Sequence, residues 1–116
     1  GKGAAGNDAP RYHCADCNAL LSDASEQVEV LGHPARGTYV NPHGIACEIV
    51  TLSGCRSYAE ANFSSTANTW FEGWAWRPLG CGECRTFLGW RFEAEREDVP
   101  GPRRFYGLLV DKLVIV

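Results

Sequence analysis

The 116-residue chain has no methionine, no long apolar run and no block of like charges. No stretch approaches the ~20 consecutive apolar residues that a membrane-spanning helix needs, so we predict no membrane partner. The formal net charge is −3, whereas domains that bind nucleic acid usually carry a basic patch. The adjacent Arg103 and Arg104 are an isolated pair and indicate a solvated face. We therefore predict no nucleic-acid partner.

The chain length is typical of one domain, and no internal repeat is present. Residues 1–10 are poor in apolar side chains and lack the apolar core of a signal peptide. We predict that they form a disordered lead-in or a cloning scar and that residues 11–116 form a single domain. A domain of this size has a small stability margin, which a bound metal or a disulfide would increase.

Alternating and β-branched patterns predict a mainly β domain. Helical spacing occurs only in residues 20–30 and 106–116. Asn41 begins a turn sequence, Asn-Pro-His-Gly, in which its side chain can hydrogen-bond the local backbone. The predicted strands are residues 26–32, 45–52 and 86–95, two short aromatic pieces in 69–76 around a turn at Glu72-Gly73, and residues 105–116 as a strand or a short terminal helix. The predicted loops are residues 53–68 and 95–104.

Four of the six cysteines form two Cys-x-x-Cys pairs, Cys14 with Cys17 and Cys81 with Cys84. Four thiolates in two such knuckles fit a tetrahedral zinc ion. The 63 residues between the pairs exceed the usual zinc-ribbon separation. The spacing therefore predicts one structural zinc that joins two distant hairpins. Two disulfides, or one redox-active pair, are the alternatives.

Three other residues bear on the metal site. His13 precedes Cys14 and could replace a ligand, although four cysteines already complete the set. Cys47 and Cys55 lie outside the pairs. They are predicted to form a disulfide or to remain as two small buried thiols.

All four tryptophans lie between residues 70 and 90, around the second Cys-x-x-Cys pair. Trp90 and Phe92 are two residues apart and face the same side of a strand, and Trp74 and Trp76 are related in the same way. These rings could simply be core beside the metal. However, each buried indole N–H needs a partner, so such a concentration favours a concave aromatic pocket.

The chain resembles the thalidomide-binding (CULT) domain of the cereblon family. The matching segments, in order, are CADC, YVNPHG, WFEGWAW, CGEC, GWRF and FYGL, and they cover essentially residues 12–112. The resemblance implies a fold of two antiparallel β-sheets that meet at a steep angle, a β-tent, pinned by one structural zinc. It also implies a non-enzymatic binding module.

The resemblance also implies a ligand site. Trp70, Trp76 and Trp90 match a cage of three tryptophans that accepts a cyclic imide such as glutarimide. Phe92 matches the aromatic residue at the base of the cage, and Asn41 matches an asparagine near the rim of the ligand.

The chain departs from the cereblon family at two positions. Trp74 stands where relatives often have tyrosine, beside the cage. Asn68 stands where cereblon has histidine. The family uses the backbone carbonyl at this position, so we expect the imide contact to persist while ligand selectivity changes.

The resemblance further implies the partners. The ligand would be a small cyclic imide or an imide-bearing protein C-terminus, and the domain would act in substrate recognition for a ubiquitin ligase. A ligase adaptor is expected only if the chain belongs to a longer receptor. Thiolate zinc ligation favours a cytoplasmic or other intracellular location.

One alternative function is that of an R-type methionine sulfoxide reductase, which also has two distant Cys-x-x-Cys knuckles. Its nucleophile is a cysteine on a late strand that follows an arginine. The late segment here, RRFYGLL, has no cysteine, and Cys47 and Cys55 lie too early in the chain. Without a thiolate, the sulfoxide has no attacking group.

A second alternative is an aromatic cage that reads methylated ammonium groups. Tryptophan walls attract cations, and such cages often contain an acidic residue. Glu72 and Glu93 are the candidates for that role.

Overall fold

The computed structural model describes residues 9–116, within which nine strands form two antiparallel sheets. The strands are β1 (Arg11–Cys14), β2 (Leu20–Asp23), β3 (Arg36–Val40), β4 (Ala46–Leu52), β5 (Tyr58–Glu60), β6 (Trp74–Cys81), β7 (Phe87–Ala94), β8 (Arg104–Leu109) and β9 (Leu113–Ile115). The small sheet has the order β2-β1-β9, and the large sheet has the order β3-β4-β8-β7-β6-β5. This arrangement confirms the predicted class of two antiparallel sheets.

Most of the predicted lead-in, residues 1–8, lies outside the described residues. Pro10 already belongs to the fold, because its carbonyl accepts a hydrogen bond from the Ala24 N–H at 2.8 Å. Within residues 9–116, no helix is long and apolar enough to cross a membrane.

The predicted strands at 45–52 and 86–95 are confirmed as β4 and β7. The strand predicted at 26–32 is wrong. Gln27 and Val30 form only isolated bridges, and the chain turns away because Leu31 and Gly32 adopt positive φ angles of 53° and 78°.

Three further segments differ from the prediction. The predicted loop at 53–68 contains the short strand β5, which pairs with β6 at the edge of the large sheet. The aromatic piece before the Glu72-Gly73 turn is not a strand, and only the piece that begins at Trp74 becomes part of β6. The last segment contains both predicted elements, as β8 and β9 flank a 3-10 turn at Val110–Lys112.

Each face of the large sheet carries a core cluster. One face packs on the small sheet, in a core that includes Leu79, Leu88 and Leu108. The opposite face carries an aromatic cluster that includes Phe92 and Phe105, whose rings stack with centroids 4.8 Å apart. Trp70, Trp76 and Trp90 pack around this second cluster, which places the predicted cage on that face.

The backbone of β8 lies close against Gly89 of β7. Its φ is 146°, and a Cβ atom there would clash with the carbonyl oxygen of Gly107. We expect Gly89→Ala to lower the free energy of unfolding by at least about 2 kcal/mol, because backbone strain and the steric clash add. Gly32→Ala is the matched control, since its Cβ would meet no atom within 4 Å. Urea denaturation of both variants measures the difference, and equal losses would contradict this explanation.

Candidate zinc centre and aromatic cavity

The two Cys-x-x-Cys knuckles have the same backbone structure. Cys14 ends β1 and Cys81 ends β6. In each knuckle, the residue four positions after the first cysteine donates its N–H to the carbonyl of that cysteine. The donors are Asn18, at 2.7 Å, and Arg85, at 2.8 Å. Both donors have positive φ angles, 68° and 70°. Each knuckle therefore turns tightly enough to bring its two thiols together.

The four knuckle sulfurs converge on one point between the two sheets. The Sγ atoms of Cys14 and Cys84 are 3.6 Å apart, and those of Cys17 and Cys81 are 3.5 Å apart. All four sulfurs lie within 4.8 Å of one another. Tetrahedral zinc with Zn–S bonds of about 2.3 Å requires S–S distances of about 3.8 Å. The cluster fits one structural zinc, because four thiolates leave no coordination position for substrate.

A polar link joins the knuckles beside the sulfurs. The Thr86 hydroxyl donates to the Asp16 carboxylate of the first knuckle and lies 3.2 Å from the Cys84 sulfur of the second. Hydrogen bonds with the side chain and backbone of Thr86 lower the pKa of Cys84 to about 7. His13 is not part of the sulfur cluster, and its Nδ1 donates to the Asn18 carbonyl at 2.9 Å. The imidazole thereby supports the first knuckle.

The two remaining cysteines are free thiols at separate places. Cys47 lies on β4, opposite Tyr39 of β3. Cys55 packs against the core beside the zinc cluster, and burial raises its pKa to about 12. Burial also raises the pKa of Cys47. Neither environment favours the thiolate that a nucleophile requires.

A cavity of about 200 Å³ lies on the aromatic face of the large sheet. The six residues predicted for the ligand site all line this cavity. Two further residues, Pro42 and Ala67, complete the lining. The full set is Asn41, Pro42, Ala67, Asn68, Trp70, Trp76, Trp90 and Phe92.

Hydrogen bonds fix two of the three cavity tryptophans. The indole N–H of Trp70 donates to the Val40 carbonyl at 3.0 Å, and that of Trp76 donates to the Ala67 carbonyl at 2.8 Å. The Trp90 indole N–H has no hydrogen-bond partner within residues 9–116. The Trp90 ring meets Trp70 edge to face, at a centroid distance of 5.0 Å and an angle of 78°. The Trp70 and Trp90 rings are therefore in perpendicular contact and do not stack, and the Trp90 N–H donor stays available.

Two loops form the rim of the cavity. The Asn41 side-chain oxygen accepts hydrogen bonds from the N–H groups of His43 and Ile45, both at 2.9 Å. This confirms the turn predicted for Asn41 and shows that its carboxamide shapes the loop. On the other side, Ser65 exchanges two backbone hydrogen bonds with Trp76, at 3.0 and 2.8 Å. Asn68 lies in the same loop, three residues after Ser65, and has a positive φ of 57°.

Sequence reasoning missed Pro42 and Ala67. Pro42 belongs to the recognised turn sequence, so its place beside Asn41 offered a signal. Ala67 lies in a polar loop with no distinctive pattern, and only its carbonyl bond to the Trp76 indole shows its role.

Trp74 is part of the core and does not line the cavity. The side chain is fully buried, and its indole N–H donates to the Pro102 carbonyl at 2.9 Å. Its ring packs edge to face on Phe105. The four tryptophans therefore divide between the core, which holds Trp74, and the cavity, which the other three line.

The acidic residues considered for a cation cage lie elsewhere. Neither Glu72 nor Glu93 lines the cavity, and no carboxylate among the described residues does. Glu93 instead pairs with Arg91 at 3.2 Å.

The fold and the two sites define a class of protein, a β domain of two antiparallel sheets joined at a four-cysteine zinc site. The sequence profile of the family described as "Yippee zinc-binding/DNA-binding /Mis18, centromere assembly" matches residues 11–116. The chain therefore belongs to the Yippee–Mis18 family. The solved structure "Crystal Structure of Mis18 'Yippee-like' Domain" covers 94% of the chain and is itself covered to 96%, with a TM-score of 0.62 and 15% identity. That likeness supports the fold alone.

The chain is also similar in sequence to cereblon proteins, as the motifs predicted. The chain is 34% identical over 96 residues to protein cereblon of Xenopus tropicalis and 39% identical over 96 residues to that of Danio rerio. These matches cover 83% and 82% of this chain but only 21% and 22% of the relatives. The resemblance to the cereblon family is confirmed, and the chain spans about a fifth of these relatives' length.

Proposed function

We propose that the chain is a non-enzymatic binding module whose tryptophan cavity holds a cyclic imide. The observation that carries this proposal is the cavity itself, in which three indole rings stand around an uncharged space above Phe92. Flat apolar walls suit the methylene edge of a small neutral ring. The resemblance to cereblon supports the imide as the ligand class.

The size of the cavity favours a single ring. Pockets for drug-sized ligands usually measure roughly 300–1,000 Å³, whereas this cavity measures about 200 Å³. A glutarimide ring would fill it, and any substituent would extend into solvent past the rim. An imide at a protein C-terminus satisfies this geometry because the polypeptide can leave through the mouth of the cavity.

Polar partners for the imide are available at two places. The Trp90 indole N–H lacks a protein partner within residues 9–116 and would donate to an imide carbonyl. The Asn68 carbonyl is unused by the hydrogen bonds among those residues, and we propose that it accepts the imide N–H. Pairing both groups of a buried polar ring avoids the desolvation penalty that an unpaired group incurs.

The cavity suits a neutral ligand better than a methylated ammonium ion. A buried cation needs a compensating charge, and no carboxylate among the described residues lines the cavity. A sulfoxide reductase is also disfavoured, since β8 carries no cysteine and the raised pKa values of Cys47 and Cys55 keep both thiols protonated.

We further propose that the chain recognises substrates within a longer, cereblon-type ubiquitin-ligase receptor. The support is the identity to cereblon over most of this chain. An intracellular location follows as part of the proposal, because thiolate zinc sites persist in reducing compartments.

Methylation of the imide nitrogen tests the proposed ligand class. We expect glutarimide to quench the tryptophan fluorescence saturably and N-methylglutarimide to lose binding, because the methyl group removes the only donor and adds bulk toward Asn68. A trimethylammonium compound of similar size serves as the comparison for the cation cage. Equal binding of the N-methyl compound, or tighter binding of the ammonium compound, would refute the imide assignment.

A further inference from the structure

Two arginines lie directly opposite each other on the side of the β6–β7 ribbon that faces away from the aromatic cavity. Arg77 of β6 is the cross-strand partner of Arg91 of β7. Strand alternation places them behind Trp76 and Trp90, which precede them in sequence. Like charges in this position normally destabilise a sheet. A negatively charged or hydrogen-bond-accepting group is therefore needed to stabilise the pair.

The neighbouring carboxylates compensate only one of the two arginines. Arg91 is 13% exposed and pairs with Glu60 at 3.0 Å and with Glu93 at 3.2 Å. Arg77 donates through Nη1 to the Ala61 carbonyl at 2.7 Å. It has no carboxylate within 4 Å among residues 9–116.

Each of the two arginines also keeps a buried donor without a partner. The Nε atoms of Arg77 and Arg91 are shielded from solvent and make no hydrogen bond to any described residue. A buried N–H of a charged group is costly to leave unpaired. Orphan donors of this kind often indicate a bound water or ion that completes the site.

Arg77 and Arg91 both line a polar cavity of about 290 Å³, which we name the arginine cavity. Its polar lining consists of Ser64, Arg77, Arg91, Glu93 and Glu95. The lining thus offers both guanidinium donors and carboxylate acceptors, and one of its carboxylates, Glu93, is paired with Arg91. A simple anion would satisfy the arginines but would be repelled by the glutamates.

We propose that the arginine cavity binds an oxyanion that carries a proton, such as hydrogenphosphate. Its unprotonated oxygens accept from the guanidinium groups of Arg77 and Arg91 and from the Ser64 hydroxyl, in the manner of arginine–phosphate pairs. Its remaining O–H donates to a glutamate. The mixed lining thereby distinguishes an oxyanion that carries a proton from one that does not.

Sulfate is the discriminating probe, because it has nearly the shape of phosphate but carries no proton at neutral pH. Isothermal titration calorimetry of the zinc-loaded chain, at constant ionic strength, compares the two ions. We expect one saturable phosphate site and sulfate affinity at least about tenfold weaker, since sulfate leaves a glutamate facing an anion. Equal affinities, or no phosphate binding at millimolar concentration, would overturn the proposal.

Two pairs of variants locate the site. Arg77→Gln should abolish phosphate binding, and Arg96→Gln, which makes the same change of charge on an exposed loop, should leave it intact. Ser64→Asp puts a negative charge into the cavity without removing a buried contact, and it should weaken phosphate binding at least about tenfold, whereas the neutral Ser64→Asn should retain it. Zinc content and near-UV circular dichroism identify the folded variants. Phosphate binding that survives in folded Ser64→Asp would overturn the proposal even if Arg77→Gln does not fold.

Discussion

Cys81→Ser is expected to leave the chain without its zinc and without a cooperative fold. Cys81 ends β6 of the large sheet, and its sulfur lies 3.5 Å from that of Cys17, which follows β1 of the small sheet. The zinc is therefore a direct connection between the two sheets. Structural zinc sites contribute roughly 10–16 kcal/mol, which is comparable with the roughly 5–15 kcal/mol that stabilises a typical domain.

Elemental analysis and thermal unfolding followed by circular dichroism measure this effect together. The wild-type chain should contain one zinc, and a chelator should abolish its unfolding transition. Cys47→Ser is the matched control, because Cys47 is also a free cysteine but lies outside the sulfur cluster. A Cys81→Ser chain that retains one zinc and melts like the wild type would contradict the structural role.

Trp76→Ala and Trp90→Ala should each weaken the binding of a glutarimide compound by about 2 kcal/mol or more, as expected of aromatic hot spots. The wild-type chain should bind with micromolar affinity, worth about 7–8 kcal/mol. The physical reason is pre-organisation, because hydrogen bonds fix Trp70 and Trp76 and the zinc knuckle joins the strands that carry Trp76 and Trp90. Little ordering cost then remains for the ligand to offset.

Trp74→Phe is the control for these substitutions. Trp74 is fully buried outside the cavity, and phenylalanine keeps an aromatic ring there, whereas alanine would open a hole in the core. Titration of tryptophan fluorescence in each variant measures the affinities. If Trp74→Phe weakens binding as much as Trp76→Ala, the tryptophan cavity is not the ligand site.

The zinc centre was the most predictable feature of this protein. The x2 spacing within each pair and the long separation between pairs indicated two hairpins joined by metal, and the structure brings the four sulfurs together. This prediction succeeded because metal ligation is chemically restrictive: few side chains serve, and their local spacing is short. The strands β4 and β7 were similarly predictable from their β-branched and aromatic residues.

The strand register of the β6–β7 ribbon could not be predicted from the sequence. The sequence shows Arg77 and Arg91 as two ordinary cations, each following a tryptophan. Only strand pairing places them opposite each other, and only the tertiary structure buries their Nε atoms. The register depends on the length of the connecting knuckle and on the irregularity between Leu79 and Gly80, and the sequence pattern does not show where such an irregularity falls.

The sequence alone determined the ligands of the metal, the mainly β class and the set of aromatic residues that share a face. It could not decide which tryptophans would be core and which would line a cavity. Trp74 and Trp76 are two residues apart and point to the same face of β6. Trp74 nevertheless packs on Phe105 and donates a hydrogen bond to Pro102, whereas the loop at 65–68 lies beside Trp76 and leaves a cavity. Periodicity fixes the direction of a side chain from its strand, whereas the segment that covers it comes from elsewhere in the chain and is placed only by tertiary packing.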